Sequence, residues 1–208
     1  LLKQFIDYVQ ITGTPRGFGD IPDRSGIQLD KDNPEHLLII LGDLLDRGDY
    51  PRECLEFINS IERKVCVRGN HEDLIEDTLH RGCFYSHDYH NGTVKTINIL
   101  GCNDVQYNSA DDICENVLNH PEYKKYMNSL VDYYETENYV FVHGWIPFTN
   151  NWREGDWSSA RWENGMQAWH RCKRIDKTVV CGHYHTAWGH AILHKDGIDF
   201  GALEAAMD

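Results

Sequence analysis

Residues 40–48 read ILGDLLDRG, the end of an apolar run that breaks into two carboxylates, an arginine and two glycines. Such residues favour turns, unless something highly charged must be held there. The run itself, HLLIILGD at 36–43, is short and almost wholly apolar, the pattern of a strand buried on both faces. PRECLEFINSIER at 51–63 opens with a proline suited to a first helical turn and repeats apolar residues at helical spacing. KVCVRGNHED at 64–73 is a second strand ending in polar residues, and EDLIEDTLH at 72–80 reads as helix. Strand, loop, helix, strand, loop, helix makes a βαβ unit with parallel neighbouring strands. Both charged loops then lie outside the carboxyl ends of the strands, where open α/β sheets bind ligands.

The same strand-then-polar pattern returns in NYVFVHGW at 138–145 and KTVVCGHYHT at 177–186. Upstream, LLKQFIDYVQI at 1–11 places its apolar residues on one helical face, and a Gly/Pro/Asp-rich loop follows from Gly13 to about Asn33. From Gly82 to Thr136 the reading is mainly helical, with Thr93 as a cap and EYKKYMNSLVDYYE at 122–135 as the clearest helix. Residues 145–169 hold five of the six Trp, which makes them an aromatic mini-core or a substrate-side cap.

At 208 residues the chain suits one domain, with a helical insertion at about 82–136 and the Trp-rich segment at about 145–170. An apolar content of 41% is enough for a real core. The formal charge of -13 works against a nucleic-acid backbone or an anionic membrane as main partner, because both repel it. Seven scattered cysteines with no CxxC spacing argue against a disulfide framework and for a reducing, cytoplasmic setting. No apolar stretch approaches the roughly 18 residues of a membrane span, and no signal peptide is visible. The sequon NGT at 91–93 is then expected to carry no glycan.

Four strand ends thus carry GDLLDRG, RGNHE, VHG and GHYH. Carboxylate, amide and imidazole are the ligand set of a divalent cation such as Mn, Fe, Zn or Co. The Asp43 carboxylate can bridge two cations, while an Asn70 amide oxygen and neutral nitrogens of His143 and His183 can complete one. His183 and His185 are two apart, so an extended backbone puts both on one face. Each motif alone is commonplace. Their joint occurrence in this order is not.

Together these blocks resemble the signature of the calcineurin-like metallophosphoesterases, over about residues 37–190. They are most similar to the branch holding the phosphoprotein phosphatases and bacterial diadenosine-tetraphosphatase-like enzymes. The resemblance implies an α/β fold, a four-layer α/β/β/α sandwich of two mixed sheets around a dinuclear metal centre. It implies two divalent ions, Mn first among them, with Asp43 as the bridging ligand. Asn70, His143 and His183 would complete the second metal, and His185 would bind the first. His71 matches the proton donor to the leaving oxygen, Asp46 the residue that orients it, and Arg47 an arginine that grips phosphate together with Asn70. WSSARWENG at 157–165 resembles the segment supplying a second phosphate-binding arginine, here Arg161. Arg161 is equally readable as a surface residue or a cation–π partner of neighbouring Trp.

One family block is missing, the D-x-H-G that supplies the first metal with an Asp and a His. The nearest string is GFGDIPDRSG at 17–26, with Asp20 but with Pro22 where the His belongs. LLKQFIDYVQI then reads as the helix that follows that block. The chain is expected to lack the first strand and, beyond DFGALEAAMD, the last ones. The activity implied is hydrolysis of phosphate monoesters, in a phosphoserine or phosphothreonine protein or a small molecule, by in-line attack of a metal-bridging hydroxide. The alternatives are a dinucleoside polyphosphate hydrolase and a non-catalytic phosphate- or protein-binding module with an incomplete metal centre.

Overall fold

The apolar run before Gly42 does form a strand, and the helix after it returns the chain to a parallel neighbour. These come from a computed structural model that describes residues 10–12, 28–30, 35–102, 109–171 and 175–183. Its residues group into two packing units, 1–131 and 132–208.

In the first unit, β1 (Gln10–Thr12) and β2 (Gln28–Asp30) pair in parallel. Gln10 and Ile11 are therefore extended rather than helical, and a strand interrupts the loop expected over 13–33. The remainder of the expected first helix, residues 1–9, lies outside the described residues, as do Asp20, Pro22 and 184–208. The main sheet orders β3 (Leu38–Ile40), β4 (Lys64–Val67) and β5 (Leu130–Val131), all parallel. Leu38 lies opposite Lys64 and Ile40 opposite Cys66. Between β3 and β4 runs α1 (Pro51–Ser60), with Pro51 in its first turn and Cys54, Leu55 and Ile58 buried. Full burial of such an aliphatic side chain stabilises by about 1.5–3 kcal/mol. This is the expected βαβ unit. α2 (Asn70–Arg81) follows β4 at once and stops at Gly82 in the left-handed conformation.

The helical insertion comprises α3 (Ser86–Asn91), α4 (Thr93–Gly101), α5 (Ala110–Asn119) and α6 (Pro121–Met127). Ile97, Leu100, Val117 and Tyr126 from these helices share one hydrophobic core with Ile75 and Leu79 of α2, with α1 and with the main sheet. Arg52 of α1 donates to the carbonyls of Ile99 and Leu100, satisfying acceptors at the end of α4. Two expectations fail here. Gly92, not Thr93, is the N-cap of α4, and Thr93 is its first helical residue. The helix expected over 122–135 ends at Met127, and Leu130 and Val131 hydrogen-bond beside Cys66 and Val67 instead. Sheet pairing overrides local helical periodicity at that point.

In the second unit, β6 (Tyr134–Glu135) pairs antiparallel with β7 (Tyr139–Phe141), which pairs in parallel with β8 (Thr178–Val180). Two short helices, α7 (Trp157–Ala160) and α8 (Gly165–His170), lie between β7 and β8. The core here is aromatic: Trp145, Trp152 and Trp157 are buried with Val140, Val142 and Ile146, and Trp169 packs against them. Tyr133 stacks on Trp157, with centroids 5.1 Å apart. An α/β fold is thus established, in which the described residues form two parallel sheets, of two and three strands, and one mixed sheet of three. No described helix is long and apolar enough to cross a membrane.

Candidate active site

The turn after β3 is held in an uncommon backbone conformation. Asp43, Asp46 and Arg47 have φ of 53°, 69° and 57°. Side chains other than glycine avoid this region, and where they occupy it the surrounding structure must hold them there. The only other described non-glycine residue with positive φ is His183, at 71°. All four are residues that the sequence assigns to chemistry.

What holds the turn is Glu72, wholly buried at N3 of α2. One carboxylate oxygen accepts the Asp43 and Gly69 amides, at 2.9 and 2.8 Å. The other accepts the Leu44 amide and the Tyr126 hydroxyl, both at 3.0 Å. Four donors on one buried carboxylate tie the GDLLDRG turn to the RGNHE turn, a charge-assisted arrangement. The His71 amide then donates to Asp43 Oδ1 at 3.1 Å.

At the start of α2, Asn70 and His71 are both buried. The His71 Nδ1 atom meets Asp46 Oδ2 at 2.8 Å. An ionised carboxylate only accepts, so Nδ1 carries the proton of that bond. The same oxygen accepts the Thr93 hydroxyl at 2.6 Å. Burial works against a charged imidazole, yet the Asp46 hydrogen bond and the Asp43 and Asp46 carboxylates outweigh it and the Arg47 repulsion. The His71 pKa is raised above its ordinary value. Arg47 is exposed, and the Gly48 amide closes a tight turn around it onto the Asp46 carbonyl at 2.6 Å. A fixed backbone under an exposed guanidinium suits capture of an oxyanion.

In the second unit, β7 and β8 run in parallel, and their ladder continues past the strand ends. The Val142 amide donates to Val180 at 3.0 Å and the Gly182 amide to His143 at 2.8 Å. His143 Nε2 and His183 Nδ1 consequently face each other at 3.1 Å. Two ring nitrogens so placed can serve one divalent cation, which fits the donor chemistry expected of them. The extended backbone expected at His183 is not found, and His185 lies outside the described residues. Gly144 is required by a close approach: a Cβ there would stand 2.6–2.8 Å from the carbonyls of Ala160, Arg161 and Glu163. The segment carrying Arg161 thus packs directly against the backbone that carries His143.

Arg161 is buried, and its Nη2 pairs with the Asp132 carboxylate. Of the tryptophans at 145–169, only Trp162 stands in the open, 51% exposed, with its ring edge-on to His183 at 6.0 Å. The mini-core reading holds for the others.

Glu72 and Thr93 are the site residues that the sequence reading did not assign. Glu72 was within reach, because a Glu three residues after an N-cap position is a helix-start signal. Thr93 gives no such signal, since its partner is 47 positions away.

Comparisons with curated proteins and with solved structures return no match. The family model for calcineurin-like phosphoesterases matches residues 17–205, spanning both units and every residue assigned above. The chain therefore belongs to the calcineurin-like phosphoesterase family.

Proposed function

We propose that this phosphoesterase hydrolyses phosphate monoesters, either phosphoserine and phosphothreonine in proteins or a small phosphorylated molecule. Within the family its four blocks favour the branch of phosphoprotein phosphatases and diadenosine-tetraphosphatase-like enzymes. The observation that carries the reading is the buried Asp46–His71 pair at 2.8 Å, adjacent in sequence to Arg47 and Asn70. Binding alone needs no oriented proton donor.

Asp43, Asn70, His143 and His183, with His185, are the residues that would hold two divalent ions, Mn before Fe, Zn or Co. Such ions supply a Lewis-acid clamp on phosphate oxygens and acidify water enough to react near neutral pH. Arg47 binds the phosphate oxygens through its planar fork and fixes the phosphorus for in-line displacement. Asn70 borders the same oxygens, and Arg161, anchored by Asp132, is the second phosphate contact. His71 gives its Nε2 proton to the departing alkoxide while Asp46 holds Nδ1–H, so that the ring cannot turn away. The amide of His71, bound to Asp43, keeps that carboxylate oriented. A cytoplasmic location accords with the free thiols of the described cysteines.

A second reading has its own support. The exposed ring of Trp162 beside His183 offers a face on which a nucleobase could stack. That favours a dinucleoside polyphosphate as substrate. Trp162→Ala would then raise KM for diadenosine tetraphosphate and leave KM for a phosphopeptide unchanged.

Bound metal is measured by elemental analysis, and phosphate release from phenyl phosphate is followed with added Mn²⁺. We expect bound metal, measurable turnover, and a loss of roughly 10²-fold or more in His71→Ala. No turnover in the wild type would favour the binding module.

A further inference from the structure

We propose that Thr93 is a positioning residue for proton transfer, the third member of a Thr93–Asp46–His71 chain. This rests on the reading of His71 as proton donor. Thr93 is wholly buried, and its hydroxyl donates to Asp46 Oδ2 at 2.6 Å, the oxygen that also receives His71 Nδ1–H at 2.8 Å. The other oxygen, Asp46 Oδ1, is buried with no hydrogen-bond partner among the described residues. The rotation of the carboxylate is therefore set by two bonds on one oxygen. Remove the Thr93 bond and only the imidazole remains, which Asp46 is supposed to orient.

The surrounding backbone supports the same role. Gly92 sits at φ 85°, and a Cβ on it would stand 2.6 Å from the Arg47 amide nitrogen. The Gly92–Thr93 pair thus supports the Arg47 backbone with one residue and holds the Asp46 carboxylate with the next. It does so from the start of α4, where the helical insertion meets the GDLLDRG turn. The hydroxyl is committed to Asp46 rather than to capping its own helix.

The test uses the full chain with Mn²⁺ and two esters. Phenyl phosphate expels a leaving group that needs a proton; 2,4-dinitrophenyl phosphate expels a stable anion. Thr93→Val should lower kcat on phenyl phosphate about tenfold, a share of the ~10²–10⁴ that a positioned acid supplies, and change the dinitrophenyl ester less than about twofold. Thr93→Ser, which keeps the hydroxyl, should recover most of the loss. Equal losses on both esters, or none on either, would overturn the assignment. His71→Ala separates the claims. If it discriminates between the esters and Thr93→Val does not, Thr93 alone is misassigned; if it fails to discriminate, the donor reading falls as well.

A readout independent of turnover is the proton NMR signal of His71 Nδ1–H, assigned by its disappearance in His71→Ala. We expect a slowly exchanging downfield signal in the wild type and in Thr93→Ser, lost or broadened in Thr93→Val. A signal unchanged in Thr93→Val, or none in the wild type, contradicts the proposal.

Discussion

The two packing units fix their chemical groups by different means. In residues 1–131 side chains do it: one buried carboxylate, Glu72, gathers three backbone amides and a tyrosine hydroxyl around a turn of positive-φ residues. In residues 132–208 the main chain does it. The sheet ladder runs on from Val142–Val180 to His143–Gly182, and the Trp145 backbone amide donates to the Ala160 carbonyl at 3.0 Å. The first arrangement depends on single atoms, whereas the second depends on how closely two backbones approach. Each therefore has its own weakest point.

Glu72→Ala should have the largest effect, because it removes the acceptor of the buried Gly69 amide and Tyr126 hydroxyl and of the half-buried amides of Asp43 and Leu44. Each unpaired group costs about 1–3 kcal/mol, partly relieved by relaxation and water, so a total of about 4–5 kcal/mol is expected from urea unfolding. An ordinary loss of about 1 kcal/mol would show that the turn is held by something else. Next comes Gly144→Ala in the second unit, which forces a methyl against three carbonyl oxygens. Overpacking of this kind costs about 1–3 kcal/mol, and the His143–His183 spacing should widen with it. Metal retention in Gly144→Ala, measured by dialysis against a chelator, should fall further than its stability alone would require. If metal is held as tightly as in the wild type, backbone proximity is not what places the two imidazoles.

The smallest effect concerns Glu135. Hydrogen bonds from Arg153 and Lys177 push its carboxyl down to about 2, against a minor opposing contribution from burial. A carboxyl lowered on folding stabilises the fold fully above its unfolded pKa, roughly 4.3, and loses that contribution as pH falls toward the folded value. Arg153 is half exposed, so the contribution is under about 1 kcal/mol. Thermal melts of wild type and Glu135→Gln should differ by a constant amount near neutrality and converge as pH falls below about 4. Melts separated by the same amount down to acid pH would mean that the pair is not ionic in origin.

The same contrast explains what the sequence disclosed. The strand ends were legible because each apolar run stops abruptly in residues that a strand interior rejects, as at Gly42–Asp43 and Val142–His143. The parallel βαβ unit followed from spacing alone. The 128–135 segment was not legible: its spacing continues that of the helix before it, and only pairing beside Cys66 and Val67 makes Leu130 and Val131 a strand. Backbone strain at Asp43, Asp46, Arg47 and His183 has no sequence signature either, since only glycine advertises a positive φ. Thr93 was read as a cap because threonine at a helix start usually is one. A distant carboxylate competed for its hydroxyl and won.

Crystals of the chain soaked in Mn²⁺ and measured at the manganese absorption edge test the metal assignment most directly. We expect an anomalous peak within coordination distance of the Asp43 carboxylate and of the His143 and His183 imidazoles. A peak elsewhere, or these three groups too far apart to touch a common ion, would contradict it.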